Sequence, residues 1–453
     1  MRVIIGGEDE VAIRLAEALM HDHEVTVLVP DSVRDARLDR LDAQVLHGST
    51  TSGDTLKAAG ADSADLFVAC TPLDERNLIA CAEAKRLGAR EVTCFLRRHD
   101  VQSNEEEAMA LAKTLQIDHV ILPAARLAKD ILRIVMVPGA LDAGTFANGR
   151  VRLVKRRIEA GAHLCGRPLK DIGVPKGVVL VMGQRGDERF IPSGDTVFEP
   201  DDAITAMGNL SGINRLLTRY LVDRDHGTDP RRATIVGGGV VGFAVTEGLE
   251  KAGWEVKLIE ANEARALEIA PRLKSLVLHG DGTDIELLRE ERIGDAPVLI
   301  AVTSNDEKNL LVSLLARQQG VQRIVTRADK AANEWLFESV GIDVVRSAQG
   351  AAVSAVVRRA NRSDRDLMAE FEHGDVRVLR LRVPADVPPT PLSELRAPVF
   401  AIVGAILRAD KVIIPQGRDT VQGADELLVF CKADGTDATR SFFEGFHPAA
   451  KEA

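Results

Sequence analysis

Two parts of the chain show short aliphatic runs separated by longer stretches of helical periodicity. In the second part, strands are predicted at 233–236, 256–260, 276–279, 297–303 and 324–326, and helices at 241–251, 309–319 and near 331–340. The strand at 256–260 alternates little between apolar and polar residues, which is typical of strands buried on both faces. Strands that alternate with helices predict a doubly wound parallel sheet. Residues 2 to about 123 repeat this order.

Each of these two parts is followed by a segment with a different sequence pattern. Between 145 and 217, and again between 375 and 432, short β-type runs are divided by Gly, Pro and Asp. The segments QRGDERFIPSGDT (184–196) and RADKVIIPQGRDT (408–420) match each other, and both predict a hairpin followed by a glycine-containing turn. We therefore expect a small α+β domain after each block.

The predicted fold class is α/β, with two Rossmann-like doubly wound parallel sheets, each followed by a small α+β domain. The expected domains are 1–123, 142–225, 231–348 and 368–450. Residues 224–232 (RDHGTDPRR) are polar and contain Gly and Pro, which indicates a linker between the two halves.

The two halves of the sequence are copies of one unit. VIIGG, starting at residue 3, returns as IVGGG at residue 235, and His47 with its following glycine returns at His279. TPLDERNL, starting at Thr71, returns as TSNDEKNL at Thr303. The last two blocks share one offset, which indicates tandem duplication of a long unit.

Composition excludes several classes of protein. The 453 residues carry a formal net charge of −10 and only 4% aromatic residues, so a broad nucleic-acid surface is not expected. The five cysteines form no CxxC pair, which favours a reduced, intracellular compartment over a disulfide framework or a zinc site. The N-terminus reads as a first strand, not a signal peptide, and no run of about 18 apolar residues predicts a membrane span.

A glycine-rich motif predicts a phosphate-binding turn in the second half. Gly237, Gly239 and Gly242 form GxGxxG between a predicted strand and a helix, with Val240 and Val241 inside the motif. The first glycine permits a tight turn, the second lets the backbone approach a pyrophosphate, and the third allows close helix–strand packing. The helix N-terminus then offers free N–H groups to phosphate oxygens.

Polar residues follow the strands at the same edge of this predicted sheet. Glu260 ends the second strand, where a carboxylate can bind ribose hydroxyls and repel a 2′-phosphate, which favours NAD over NADP. Asp281 and Thr283 follow the third strand, and Thr303 and Asn305 follow the fourth. We interpret all five as ligand residues; the alternatives are a solvated strand end for Glu260 and turn formation for the other residues.

The first half departs from this pattern. Its loop, GGEDEVA from Gly6 to Ala12, is acidic, and aligned on the following helix it carries one extra residue. Ala12 replaces the last glycine, and Val29 stands at the position of Glu260. We therefore predict that this half has lost dinucleotide binding or binds weakly, the alternative being an altered but working site. The doubtful counterparts of the ligand residues are Gly6, Gly7, Val11, Asp31, Ser49 and Thr71.

Signatures of catalysis are missing. The ten histidines form no HExxH or other metal-ligand spacing, and neither GxSxG nor GxxxxGK[ST] occurs. A Rossmann fold does not by itself imply a dehydrogenase, which needs an acid or base near the nicotinamide. The sequence therefore predicts no catalytic residue, no metal site and no enzyme.

The series GGGVVG, LIE, HGDGTD and AVTSNDEKN, followed by a hairpin-rich domain, resembles the RCK (regulator of potassium conductance) family. The tandem arrangement is similar to its TrkA-type branch over about residues 1–435. The resemblance implies a cytoplasmic homo-oligomer, expected to be a tetrameric gating ring. Through its partner, a potassium translocator of the TrkH/TrkG type, the ring would lie on the inner face of the membrane.

The resemblance also implies that NAD, NADH, ATP or ADP acts as a regulatory ligand in the Rossmann-like domains. Carried over by position, its ligands would be Gly237, Gly239, Gly242, Glu260, Asp281, Thr283 and Thr303. The small domains would dimerise or bind a second effector. The other functions to be tested are a nucleotide sensor for a different cation transporter and an NAD-dependent oxidoreductase.

Overall fold

The computed structural model describes residues 1–33, 35–98, 105–186, 188–222, 231–360, 366–371, 376–395, 397–398, 400–409 and 411–445. The expected domain ends at 225 and 450, and residues 224–230 of the expected linker, lie outside these ranges. The chain forms two compact units, one of Met1–Leu132 with Pro230–Ala360 and the other of Arg133–Asp229 with Asn361–Ala453. The first unit contains two α/β lobes, which we call the first lobe (residues 1–121) and the second lobe (residues 231–346).

The first lobe is a parallel six-stranded sheet in the order β3-β2-β1-β4-β5-β6, with helices between its strands. Its strands are β1 (Arg2–Gly6), β2 (Glu24–Val29), β3 (Gln44–His47), β4 (Leu66–Ala69), β5 (Glu91–Phe95) and β6 (His119–Ile121). Its helices are α1 (Glu10–Leu19), α2 (Gly53–Ala58), α3 (Asp74–Leu87) and α4 (Glu105–Thr114), and α5 (Pro123–Val135) follows the last strand.

Between this lobe and the second lobe, the chain forms the first part of the second unit. Its elements are β7 (Ala140–Phe146), β8 (Val151–Arg157), α6 (Leu169–Ile172), β9 (Val178–Arg185), β10 (Glu188–Phe190), β11 (Ala203–Gly208) and α7 (Leu210–Arg219).

The second lobe repeats the topology of the first, in the order β14-β13-β12-β15-β16-β17. Its strands are β12 (Arg232–Val236), β13 (Glu255–Glu260), β14 (Leu276–His279), β15 (Val298–Ala301), β16 (Arg323–Arg327) and β17 (Val344–Arg346). Its helices are α8 (Val240–Lys251), α9 (Glu263–Ile269), α10 (Ile285–Glu290), α11 (Asp306–Gln318) and α12 (Ala331–Ser339), followed by α13 (Ala348–Ala360). The strand order reverses between β12 and β15, where open α/β sheets bind ligands.

The helix that follows each lobe packs on the other lobe. Ala352 and Val356 of α13 lie in the same apolar core as α1 of the first lobe. In return, a side chain built at Gly248 of α8 would meet Leu132 of α5 at 2.5 Å. This exchange joins the lobes into one unit.

The second unit contains two antiparallel five-stranded sheets, ordered β10-β9-β11-β8-β7 and β18-β19-β24-β21-β22. Its later part comprises β18 (Leu367–Phe371), β19 (Val376–Arg382), β20 (Thr390–Pro391), β21 (Ala401–Arg408), β22 (Lys411–Ile413), β23 (Thr420–Val421), β24 (Glu426–Lys432) and α14 (Thr436–Glu444). Phe146 and Met207 of one sheet share an apolar core with Val378 and Phe430 of the other.

These observations confirm the predicted fold class of two Rossmann-like parallel sheets with small α+β domains. The hairpins expected at 184–196 and 408–420 correspond to β9–β10 and β21–β22, and Asp187 and Asp410 at their turns lie outside the described residues. The short strands β6 and β17 were not predicted, and α5 and α13 lie between the predicted domains.

The prediction that the first glycine loop carries one extra residue is wrong. In the first lobe the loop runs from Gly6 at the end of β1 to Asp9, the N-cap of α1. In the second lobe it runs from Val236 to the N-cap Gly239, which is the same number of residues. The change of offset arises later, because α8 is longer than α1. Structurally, Gly7 therefore corresponds to Gly237, and Asp9 to Gly239.

Candidate functional site

A cleft of about 900 Å³ opens at the carboxyl ends of the second lobe's strands. Nine of the ten residues predicted to bind a ligand in this half line it: Gly237, Gly239, Val240, Val241, Glu260, Asp281, Thr283, Thr303 and Asn305. The tenth, Gly242, lies behind the loop, where an added Cβ would stand 1.8 Å from the carbonyl oxygen of Gly237. The structure thus brings the predicted residues to one place.

Gly237 and Gly239 shape the floor of the cleft. Gly237 has a φ of +107°, which L side chains rarely adopt, and an added Cβ there would meet the backbone of Thr303 at 3.0 Å. Gly239 is the N-cap of α8, makes no side-chain capping bond, and has open space where a Cβ would be. The N-terminus of α8 therefore offers backbone N–H groups and the positive end of the helix dipole to an anion.

Glu260 borders this loop from the end of β13. Its Oε2 accepts a hydrogen bond from the backbone N–H of Gly238 at 2.5 Å, and its Oε1 accepts one from Asn262 at 2.8 Å. These two bonds fix the carboxylate, while each oxygen keeps a lone pair that can accept a further hydrogen bond.

Asp281 forms an ion pair at the edge of the cleft. Its Oδ2 accepts a hydrogen bond from Lys308 Nζ at 2.9 Å, and its Oδ1 accepts one from the Thr283 hydroxyl at 2.8 Å. The Lys308 bond, helped by the Thr283 bonds, lowers the pKa of Asp281 to about 2. The carboxylate is therefore ionised at neutral pH.

Thr303 and Asn305 follow the end of β15, and their side chains form hydrogen bonds within the protein. The Thr303 hydroxyl lies 2.7 Å from Asn309 Oδ1, and Asn305 Oδ1 caps α11 by accepting the Lys308 N–H at 2.7 Å. The Asn305 side chain thus has the turn-forming role that the sequence left open.

Sequence reasoning missed the positive charge around this cleft. Four basic residues line it: Arg97, Arg265, Lys308 and Arg327. Arg265 Nε donates to the carbonyl of Gly238 at 2.9 Å, and its guanidinium pairs with Glu268 at 2.8 Å. Arg265, Lys308 and Arg327 follow or end strands of the second lobe, so their positions in the sequence could have suggested them. The place of Arg97 depends on packing of the first lobe against the second.

Two family models and several relatives match this chain. The TrkA-N domain matches residues 3–123 and 233–348, and the TrkA-C domain matches residues 153–220. A "Trk system potassium uptake protein TrkA homolog" from Archaeoglobus fulgidus is 31% identical over 98% of this chain and all of its own length. The TrkA protein of Haemophilus influenzae is 31% identical over 95% of each chain. The chain belongs to the TrkA family.

Solved structures show the same fold as this member of the TrkA family. The GsuK RCK domain aligns with a TM-score of 0.60 and 19% identity, and it covers 97% of this chain and 95% of its own. The GsuK channel bound to NAD aligns with a TM-score of 0.60 and 18% identity, and the alignment covers 97% of this chain and 79% of that chain. The resemblance to RCK proteins is confirmed.

The first TrkA-N domain has a different ligand loop. Asp9 caps α1, accepting the Val11 N–H at 3.1 Å, and Gly7 stands where Gly237 stands in the other lobe. Each acidic residue of the loop pairs with an arginine: Glu8 with Arg76 at 3.4 Å, Asp9 with Arg97 at 2.8 Å and Glu10 with Arg37 at 2.5 Å.

The remaining counterparts in the first lobe differ in burial. Gly6 ends β1, and Val11 is buried in the core beneath α1. Asp31 is exposed, and the Ser49 hydroxyl lies 3.0 Å from that of Thr51. Thr71 is buried and bonded to Asn77.

Within the described part of the chain, no helix is long and apolar enough to span a membrane. Nor does any group of three or more His, Cys, Asp or Glu side chains there form a metal-binding cluster.

Proposed function

We propose that this chain is a regulatory subunit of a potassium uptake system, and that it binds NAD, NADH or an adenine nucleotide in the second lobe. The observation that carries the proposal is the uncapped N-terminus of α8 beneath the open space at Gly239, beside the fixed carboxylate of Glu260. The names of the full-length relatives, and the NAD-bound state of the GsuK channel, support it.

The residues of the cleft fit the parts of a dinucleotide. A pyrophosphate would lie against Gly237 and Gly239 and accept hydrogen bonds from the first N–H groups of α8. The ribose hydroxyls would donate to Glu260, whose charge disfavours a 2′-phosphate. Asp281 and Thr283 would border the adenosine, while Thr303 and Asn305 would border the far end of the ligand.

Binding without catalysis fits the chemistry of the cleft. Among the described residues that line it there is no histidine, cysteine or tyrosine, and the carboxylates of Glu260, Glu268 and Asp281 are already bonded to the protein. We therefore infer that the ligand acts by binding better to one conformation than to another.

The partner we propose is a membrane potassium translocator of the TrkH/TrkG type, gated by a cytoplasmic, peripheral ring of four copies of this chain. Large apolar side chains on the surface of the first unit support self-association. They are Leu73 and Ile79 at α3, Leu311 and Leu314 on α11, and Trp335, Leu336 and Val340 at α12. Trp335 is 72% exposed, which is unusual for so large an apolar side chain in a monomer.

The ligand proposal can be tested by calorimetric titration with NADH, NAD, ATP and ADP. We expect one ligand per chain, and we expect Glu260→Ala to weaken its binding at least tenfold. Asp31→Ala, which removes an exposed carboxylate from the corresponding region of the first lobe, serves as the matched control and should bind normally. Two sites per chain would contradict the predicted loss in the first lobe, and binding of none of the four would contradict the nucleotide proposal.

Gating requires a second assay with the translocator present. Potassium flux into vesicles that contain the translocator should change when this chain and its nucleotide are added, and Glu260→Ala should remove the nucleotide's effect. A nucleotide-dependent effect on another cation transporter alone would favour the broader sensor function. Substrate-dependent oxidation of NADH by the purified chain would favour an oxidoreductase.

A further inference from the structure

One of the basic residues on the wall of the second lobe's cleft belongs to the first lobe. Arg97 follows β5 of the first sheet, yet it lines the same cleft as Gly239 and Glu260. Ala124, at the start of α5, is the other residue that the N-terminal part of the chain contributes. The cleft is therefore a composite of both lobes.

Contacts in the first lobe hold Arg97 in this position. Its backbone N–H donates to both carboxylate oxygens of Asp74, at 2.8 and 3.0 Å, and its guanidinium donates to the carbonyl of Cys70 at 3.1 Å. The guanidinium also pairs with Asp9 Oδ2 at 2.8 Å. Both charged side chains are largely shielded, with 28% of Arg97 and 23% of Asp9 exposed.

Asp9 lies where the first lobe would otherwise bind a phosphate. It caps α1 through Oδ1, and its counterpart in the second lobe is Gly239, which leaves the end of α8 open. The carboxylate thus supplies a negative charge to the helix dipole, as a ligand phosphate would. In the first lobe, the protein's own side chain takes the place of an anionic ligand.

The other cations of the cleft have counter-charges within the second lobe. Arg265 pairs with Glu268, Lys308 with Asp281, and Arg327 with Asp329. Arg97 instead pairs with a carboxylate of the first lobe, Asp9. A phosphate that attracted Arg97 would therefore act on the first lobe as well.

We infer that Arg97 is a specificity-determining residue shared by the two lobes, for which Asp9 and a terminal phosphate of a nucleotide in the second lobe compete. The inference rests on the proposed function of that cleft. A nucleoside triphosphate ends in phosphates, whereas the far end of NADH is an uncharged nicotinamide. Arg97 therefore favours ATP over NADH, and Asp9 reduces this preference.

The test is a double-mutant cycle, with ATP and NADH titrated into the full chain at low and high salt. Asp9→Asn keeps a capping side chain but removes the charge. We expect it to tighten ATP binding about fivefold and Arg97→Gln to weaken it about fivefold, as for a partly shielded ion pair. The double variant should match Arg97→Gln alone, because Asp9 acts through Arg97.

NADH affinity should change less than twofold in all three variants, and high salt should reduce the effects on ATP. Glu10→Gln is the matched control, since Glu10 directly follows Asp9 as the first residue of α1 but pairs with Arg14 and Arg37. Unchanged ATP affinity in Asp9→Asn and Arg97→Gln, or no ATP binding at all, would overturn the inference. NADH binding that depends on Glu260 would still leave the proposed function standing.

Discussion

Asn309 offers a strong test of how the second lobe shapes its cleft. This buried side chain of α11 joins the ends of β15 and β16. Its Oδ1 accepts the Thr303 N–H at 2.9 Å and lies 2.7 Å from the Thr303 hydroxyl. Its Nδ2 donates to the carbonyls of Thr303 at 3.1 Å and Arg327 at 3.0 Å. All of its hydrogen-bonding capacity therefore fixes the wall of the cleft.

Asn309→Ala should destabilise the protein by about 3 kcal/mol. The substitution leaves the Thr303 N–H and two carbonyl groups without their partner, and each unsatisfied buried group costs about 1–3 kcal/mol. We take the lower end for each group because Thr303 and Arg327 are only partly buried, so water can replace some of the lost bonds. Release of the Thr303 segment should also weaken nucleotide binding about tenfold.

The first lobe provides a matched variant. Asn77 is buried on α3 and makes the same bonds, accepting the Thr71 N–H at 2.8 Å and donating to the carbonyls of Thr71 at 2.9 Å and Phe95 at 3.0 Å. Asn77→Ala should cost at least as much free energy of unfolding, because Thr71 and Phe95 are fully buried. The affinity for NADH, which does not depend on Arg97, should change little.

Urea unfolding would give the stability of both variants, and calorimetric titration at low temperature would give the nucleotide affinity of the folded proteins. Equal losses of NADH affinity in the Asn309 and Asn77 variants would refute the assignment of the ligand cleft to the second lobe. Normal affinity in Asn309→Ala would show that the end of β15 does not shape the site.

Three further predictions concern single side chains. Gly242→Ala should reduce nucleotide affinity at least tenfold in calorimetry, because its methyl group would lie 1.8 Å from the carbonyl oxygen of Gly237 and displace the loop. Because folding lowers the pKa of Asp281 from 3.8 to about 2, the ionised carboxylate stabilises the folded state at pH values above 3.8. This stabilisation is lost as the pH falls from 3.8 toward about 2. Lys308→Met should make the free energy of unfolding in urea depend less on pH over that range. Trp335→Glu should shift sedimentation toward smaller species if its exposed helix face is covered by a second copy.

Local sequence signals predict the two parallel sheets well, because each of these signals depends only on neighbouring residues. Apolar runs, the turn at Gly237 and the helix after Gly239 all have physical causes within a few positions. The three-residue strands β6 and β17 carry too little pattern to be recognised. Helices α5 and α13 pack their apolar side chains against the other lobe. No neighbouring residue in the sequence therefore indicates the surface that buries them.

The sequence likewise predicts some residues of the candidate site and not others. The loop glycines and Glu260 follow from spacing after a strand, and the structure brings them to one cleft. Arg97 could not be predicted, because its place on that cleft depends on packing between segments more than a hundred residues apart. The misaligned first loop has a similar cause, since counting back from an unequal helix moved the first glycine by one position.

The charge balance of the first lobe's acidic loop also bears on the second lobe. A carboxylate repels phosphate only while its charge is uncompensated, and Asp9 is compensated by both the end of α1 and Arg97. The first lobe therefore has a stable, filled anion position in the absence of nucleotide. A ligand in the second lobe that attracts Arg97 would take the counter-charge from Asp9, so part of its binding free energy would depend on the arrangement of the first lobe. If Arg97 is shared as we propose, a single nucleotide per chain biases both lobes without a second binding site.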